Sequence, residues 1–178
     1  MPASVPVWAT VVPGEFDTSA LFNTVSVNGG FLTAPPLAIL TVTTAQGAPA
    51  SSAAANVALQ FDTTALDTYG GHSNVTNNTR YTAATGAAGW YLVRSAVCWN
   101  PNATGNRVMA LYVNGSSQAG SQTQQPASTA TNFTITEVIS YVFLNAGDYV
   151  ETWVGQNSGG TLAIVAAGTT MQARWVHS

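Results

Sequence analysis

The chain has 178 residues, enough for one domain with a substantial core, and its 46% apolar content is ordinary for a globular protein. Only 6% of residues are charged, none is lysine, and the four cations, Arg80, Arg94, Arg107 and Arg174, are scattered, which excludes a nucleic-acid binder of the usual cationic kind. Polarity comes from Thr, Ser, Asn and Gln, and a surface with so little charge repulsion suits packing against copies of itself or within an assembly.

The first residues, Met1-Pro2-Ala3-Ser4-Val5-Pro6, lack the basic and apolar regions of a secretory signal, and no apolar run is long enough to cross a membrane. The expectation is a protein made soluble in a cytoplasm. Residues 1–36 read as an arm. Residues 5–14 are extended but broken by Pro6 and Pro13, which remove ladder donors. Asp17 or Thr18 can cap a short helix over 19–25, with Leu21, Phe22 and Val25 on one side, ended by Asn28-Gly29-Gly30. So short a helix is marginal alone, so Trp8, Leu21, Phe22, Phe31 and Leu32 are the candidate anchoring residues of the arm.

Residues 37–44 are β-branched and bounded by prolines, so a strand is expected, and 46–55 have the Gly, Ala, Ser and Pro content of a linker. The main domain is placed at 56–178. It opens with short strands at 58–62 and 79–82 around a loop at 69–74. Residues 90–99 alternate clearly, with Tyr91, Val93, Val97 and Trp99 on one face and Trp90, Leu92, Arg94, Ala96 and Cys98 on the other. The single cysteine excludes an internal disulfide and a Cys-based zinc site, and within this strand it reads as a small buried hydrophobe.

Residues 107–113 form the next strand, closed by Asn114-Gly115, the strongest short hairpin signal, and 120–125 can pair back. Residues 132–144 are long enough to cross a sheet, with Phe133, Ile135, Ile139, Tyr141 and Phe143 in phase. A strand pair over 140–156 turns at Asn145-Ala146-Gly147-Asp148. In its second strand Val150, Thr152 and Val154 share one face and Tyr149, Glu151 and Trp153 the other. Two apolar faces call for cover on both sides, by another sheet, an insertion or a partner subunit, and for the last of these Tyr141, Tyr149, Glu151 and Trp153 are the candidate interface. Strands at 161–166 and 170–176 close the chain, and the late Trp175 predicts that truncation at Ala173 unfolds the domain. About eight to ten short strands with almost no helical periodicity make an all-β fold, an antiparallel sandwich or jelly roll with a short N-terminal arm containing a small helix.

Two resemblances follow. Pro6, Trp8, Gly14-Glu15, Ala20-Leu21, Asn23, Phe31-Leu32 and Pro35-Pro36 resemble the opening of small virion proteins of tailed bacteriophages, departing at Val27-Asn28-Gly29-Gly30, where the charged Arg-Asp step is missing. From Phe61 onward, the ordered series Phe61-Asp62-Thr63, Gly71-His72, Thr79 to Thr82, Gly89-x-Tyr91-x-Val93, Trp99, Arg107, Leu111, Asn114-Gly115, Gly147-Asp148-Tyr149-Val150 and Gln156-x-Ser158-Gly159 is similar to the jelly roll of complement globular heads and tumour-necrosis-factor-like ligands. That resemblance implies a trimer with a binding or structural role. It also implies that Tyr91, Val93, Trp99, Leu111, Val150 and Val154 are core positions and that Gly147-Asp148 turns into a strand beside the threefold axis.

Chemistry is sparse. Asp62, Asp67 and Asp148 are too few and too separated for the oxygen shell of calcium and read as loop caps. His72 and His177 lie in a loop and at the C-terminus, with no nucleophile elbow, so no catalytic residue, metal or cofactor is assigned. Glu137 reads as the partner of an arginine. The Asn-x-Ser/Thr sequons at Asn74, Asn77, Asn102, Asn114 and Asn132 are what a chain rich in these residues reaches by chance. The reading is a homotrimeric capsid decoration protein on the virion exterior, bound to the major capsid protein. The alternative is a minor tail or receptor-binding protein, with Tyr69 or Trp90 stacking on a surface glycan. No nucleic acid and no membrane are expected as partners.

Overall fold

The structure, a computed structural model, describes residues 19–48, 54 and 57–178. Trp8 and the rest of 1–18 lie outside the described residues. Two antiparallel sheets face each other. The first holds seven strands: β1 (Leu37–Thr41), β2 (Gln46–Ala48), β4 (Thr63–Asp67), β6 (Gly89–Trp99), β9 (Thr134–Leu144), β11 (Leu162–Ile164) and β12 (Thr170–His177). Their order runs from the edge strand β9 through β6, β12 and β1 to β4, while β11 pairs with the far end of β6 and carries β2. The second sheet is built from β3 (Val57–Ala58), β5 (Arg80–Thr82), β7 (Asn106–Val113), β8 (Ser116–Pro126) and β10 (Tyr149–Gln156). In it β7 lies between β8 and β10, and β3 and β5 share the other edge of β10.

The alternation legible in β6 sets the core. Tyr91, Val93, Val97 and Trp99 point inward and are fully buried, and so are Leu111 and Val150, with Val154 buried beside them. Two polar contacts stitch this interior. Ser95 Oγ and Thr152 Oγ1 bond across the sheets at 2.7 Å, and the Trp99 indole N–H donates to Thr136 Oγ1 at 3.0 Å, so neither hydroxyl nor indole is stranded in the apolar layer. Cys98 is buried on the other face of β6, where burial pushes its thiol pKa up. The Asn114-Gly115 turn has positive φ at both residues, 49° and 76°, as a two-residue hairpin of matched twist requires.

Three expectations change. The strand at 37–41 is hydrogen-bonded on both edges, to β12 and β4, so the first sheet extends back to Leu37. The strand expected at 58–62 is reduced to β3, Val57–Ala58, and a further strand, β4, forms at 63–67, where these residues pair with the edge of β1. Helix α1 runs over Ser19–Thr33, through Gly29-Gly30 where it was expected to stop. The extra turn is held because Phe31 is fully buried against Trp175 and Tyr69, and because Thr33 Oγ1 and the Ala34 amide both bond the Gly30 carbonyl at 3.0 Å. Pro35 and Pro36 then end it.

Candidate interaction face

The four residues expected to form an interface do not come together. Tyr141 stands on the outer face of the first sheet, whereas Tyr149, Glu151 and Trp153 stand on the outer face of the second. The cover that β10 needs there comes largely from its own chain. The Arg80 guanidinium sits 3.8 Å above the Tyr149 ring. Glu151 is buried, accepting from Thr79 Oγ1 at 2.6 Å and from the Trp153 indole N–H at 3.0 Å, with Arg80 Nε at 3.7 Å. Trp153 itself stacks on Tyr112, ring centroids 4.5 Å apart, over the buried Val108 and Ala110.

The face left open lies on the first sheet. In β9, Thr134, Thr136, Val138, Val142 and Leu144 turn inward, so the bulkier in-phase set turns out. Ile135, Ile139, Tyr141 and Phe143 are 44–59% exposed, and Phe133 continues the row. The neighbouring β6 adds Trp90, paired in register with Phe143, the two rings meeting at 5.5 Å. Farther across, Leu92, Leu37, Ile39 and Pro35 line a groove of about 620 Å³ between the end of α1 and Ile139. Arg94 and Glu137 cross this face as an ion pair within one chain, as expected for Glu137, and Arg174 stands at the groove. β9 is also an edge strand, hydrogen-bonded to β6 alone. An apolar row on an unpaired edge is the combination that soluble domains normally hide.

The titratable residues singled out in the sequence have local partners. Asp62 accepts from the Thr43 and Thr44 amides, Asp67 from those of Tyr69, Gly70 and His72, and Asp148 from Asn114 and Asn145. Asp67 closes its own loop, Asp62 ties the 43–44 segment to the end of the 59–62 segment, and Asp148 joins its turn to the Asn114 hairpin, while among the described residues no three metal-ligating side chains gather. The His72 ring lies between the carbonyls of Arg80 and Phe61. Tyr69 meets Phe31 and Trp90 meets Phe143 edge-on, and Trp90 remains 39% exposed on the open face. Of the candidate anchoring residues, Phe31 is buried in the domain, Leu21 is half-buried, and Phe22 and Leu32 are exposed.

This pair of sheets has a jelly-roll fold like that of complement globular heads and tumour-necrosis-factor ligands. The chain is similar to the globular domain of zebrafish complement 1qA protein, at 11% identity over 80% of this chain and 98% of that one, with a TM-score of 0.54. It is likewise similar to murine APRIL at pH 5.0, at 12% identity over 79% and 98% with a TM-score of 0.55, and to Eiger TNF from S. frugiperda, at 10% over 80% and 93% with 0.53. No family model and no curated protein matches the sequence. The likeness is one of fold.

Proposed function

We propose that the chain is a non-enzymatic structural protein that works as a homotrimer closed through the outer face of its first sheet. The observation that carries this reading is the row Ile135, Ile139, Tyr141 and Phe143 on the edge strand β9, continued by Trp90. A second copy suits this face because the face is apolar, its ion pair is already satisfied within one chain, and the whole protein carries little charge to keep copies apart. The shared fold with complement heads and tumour-necrosis-factor ligands supports a closed ring of copies over an open chain of them. Light scattering of the purified protein tests it: a trimer is expected, and a stable monomer at micromolar concentration overturns it.

The place of this trimer is a virion, made in a host bacterial cytoplasm. The resemblance of its opening residues to small virion proteins of tailed phages supports that reading, as does a surface poor in charge. In it the trimer decorates the capsid exterior and binds the major capsid protein. Copy number in purified particles is the test, since copies spread over the whole shell support decoration, whereas one or two trimers per particle move the protein to the tail as a receptor-binding part.

A further inference from the structure

Helix α1 carries a second uncovered surface. Its last turn is fixed, since Phe31 sits between Trp175 and Tyr69 at 4.7 and 6.0 Å, but Phe31 is the only described side chain of the helix that is buried. Phe22, Val25 and Leu32 are 75%, 62% and 62% exposed. With Gly29 they follow one another at intervals of three, four and three residues, which is the spacing of the inward positions of a left-handed coiled coil. Phe31 falls on the opposite side. The helix has no charged residue, so this seam has no charged partner to satisfy. Rich in Val, Thr, Asn and Gly, a helix of 15 residues is not stable standing off a domain unless its seam is covered.

What covers it follows from where it is rooted. Thr33, Ala34 and Pro35, which lead from α1 into β1, form one wall of the groove on the apolar face of the first sheet, so the base of the helix borders that face. Copies that close through the face bring their helix bases together, and rotational symmetry makes the helices run in the same direction. We propose that α1 from three copies packs through Phe22, Val25, Gly29 and Leu32 into a short parallel three-helix stalk at one end of the trimer. The proposal rests on the homotrimer reading. So short a coil does not associate by itself, but tethering to a closed jelly-roll trimer holds the helices at an effective concentration on the order of millimolar. Gly29 contributes no side chain to its layer of the proposed seam, and a Cβ added there meets nothing of its own chain within 4 Å.

Single cysteines in the full chain test the stalk, with the native Cys98 buried and silent in each variant. Val25→Cys places a thiol in the seam, and Val27→Cys places one on the far side at a position 48% exposed. Under mild oxidation Val25→Cys is expected to be captured mostly as disulfide-linked pairs, and Val27→Cys to stay mostly single on a denaturing gel. Gly29→Leu adds a side chain to that layer and is expected to lower the concentration at which the trimer dissociates at least tenfold. Light scattering on the same samples separates the two readings. Trimers in which Val25→Cys links no better than Val27→Cys overturn the stalk and leave the trimer standing, and a monomeric native chain overturns both.

Discussion

The ring of Phe31 meets the indole of Trp175 edge-on, centroids 4.7 Å apart and planes at 86°, so the last turn of α1 and the last strand of the domain share one contact. Both rings are buried, and the Trp175 N–H donates to the Ala88 carbonyl at 3.2 Å, which ties the pair to the start of β6. Phe31→Ala is expected to cost about 3–5 kcal/mol in urea unfolding, because the cavity lies under an anchored helix end. Truncation at Ala173 removes Trp175 together with the end of a strand paired on both edges, and circular dichroism is expected to show an unfolded chain.

Ile139 and Tyr141 are 58% and 59% exposed in the single chain, so arginine at either position reaches water and leaves the sandwich folded. Ile139→Arg and Tyr141→Arg are therefore expected to give monomers by light scattering, with an unchanged circular dichroism spectrum and a stability change within about 0.5 kcal/mol. Retained trimers in both variants would place the interface elsewhere.

Trp153 behaves differently. Its ring stacks on Tyr112 and its N–H is committed to the buried Glu151, so Trp153→Arg is expected to destabilise each sandwich by about 3 kcal/mol and show first in the unfolding curve. Glu151→Ala strands the Thr79 hydroxyl and the Trp153 indole and leaves Arg80 without its carboxylate. A loss of about 1–3 kcal/mol is expected in urea, smaller for Glu151→Gln, which keeps an acceptor oxygen.

Acid weakens the loops that aspartates close. Burial raises the Asp62 carboxyl, but hydrogen bonds from Thr43 and Thr44 outweigh it and hold the pKa at about 2, and Asn114 and then Asn145 hold Asp148 below the usual carboxylate range. A folded pKa below the unfolded one means that this stability is fully present above the unfolded value, about 4, and is lost as pH falls towards about 2. The melting temperature is expected to drop across that window. Asp62→Asn is expected to lower stability at neutral pH and to flatten the acid limb, because its side chain has no charge to lose.

Much of the sandwich was legible because its signals are local. Asn114-Gly115 dictates its turn by backbone sterics, and the alternation over 90–99 names the inward residues directly. Local signals failed where a distant contact decided the outcome. Gly29-Gly30 looks like a helix end, yet Phe31 finds Trp175 and the helix continues. The open face was half legible: Phe133, Ile135, Ile139, Tyr141 and Phe143 visibly share a side, but periodicity says which residues go together and not which way they point. Size suggests inward, whereas β9 buries its Thr and Val set instead. The converse held for β10, whose second face looked as if it needed a partner. Arg80, Thr79 and Tyr112, remote in sequence, supply much of that cover.

The ion pair between Arg94 and Glu137 has a consequence for how copies hold together. Because the two residues satisfy each other within one chain, a trimer closed through this face as proposed would hold mainly by hydrocarbon removed from water, with Arg174 as the one further charge lining the groove. Such cohesion fades on cooling and is strengthened by excluded salts such as sulfate. Copies joined through the proposed face are expected to separate more readily on cooling and less readily in concentrated sulfate, as read by light scattering.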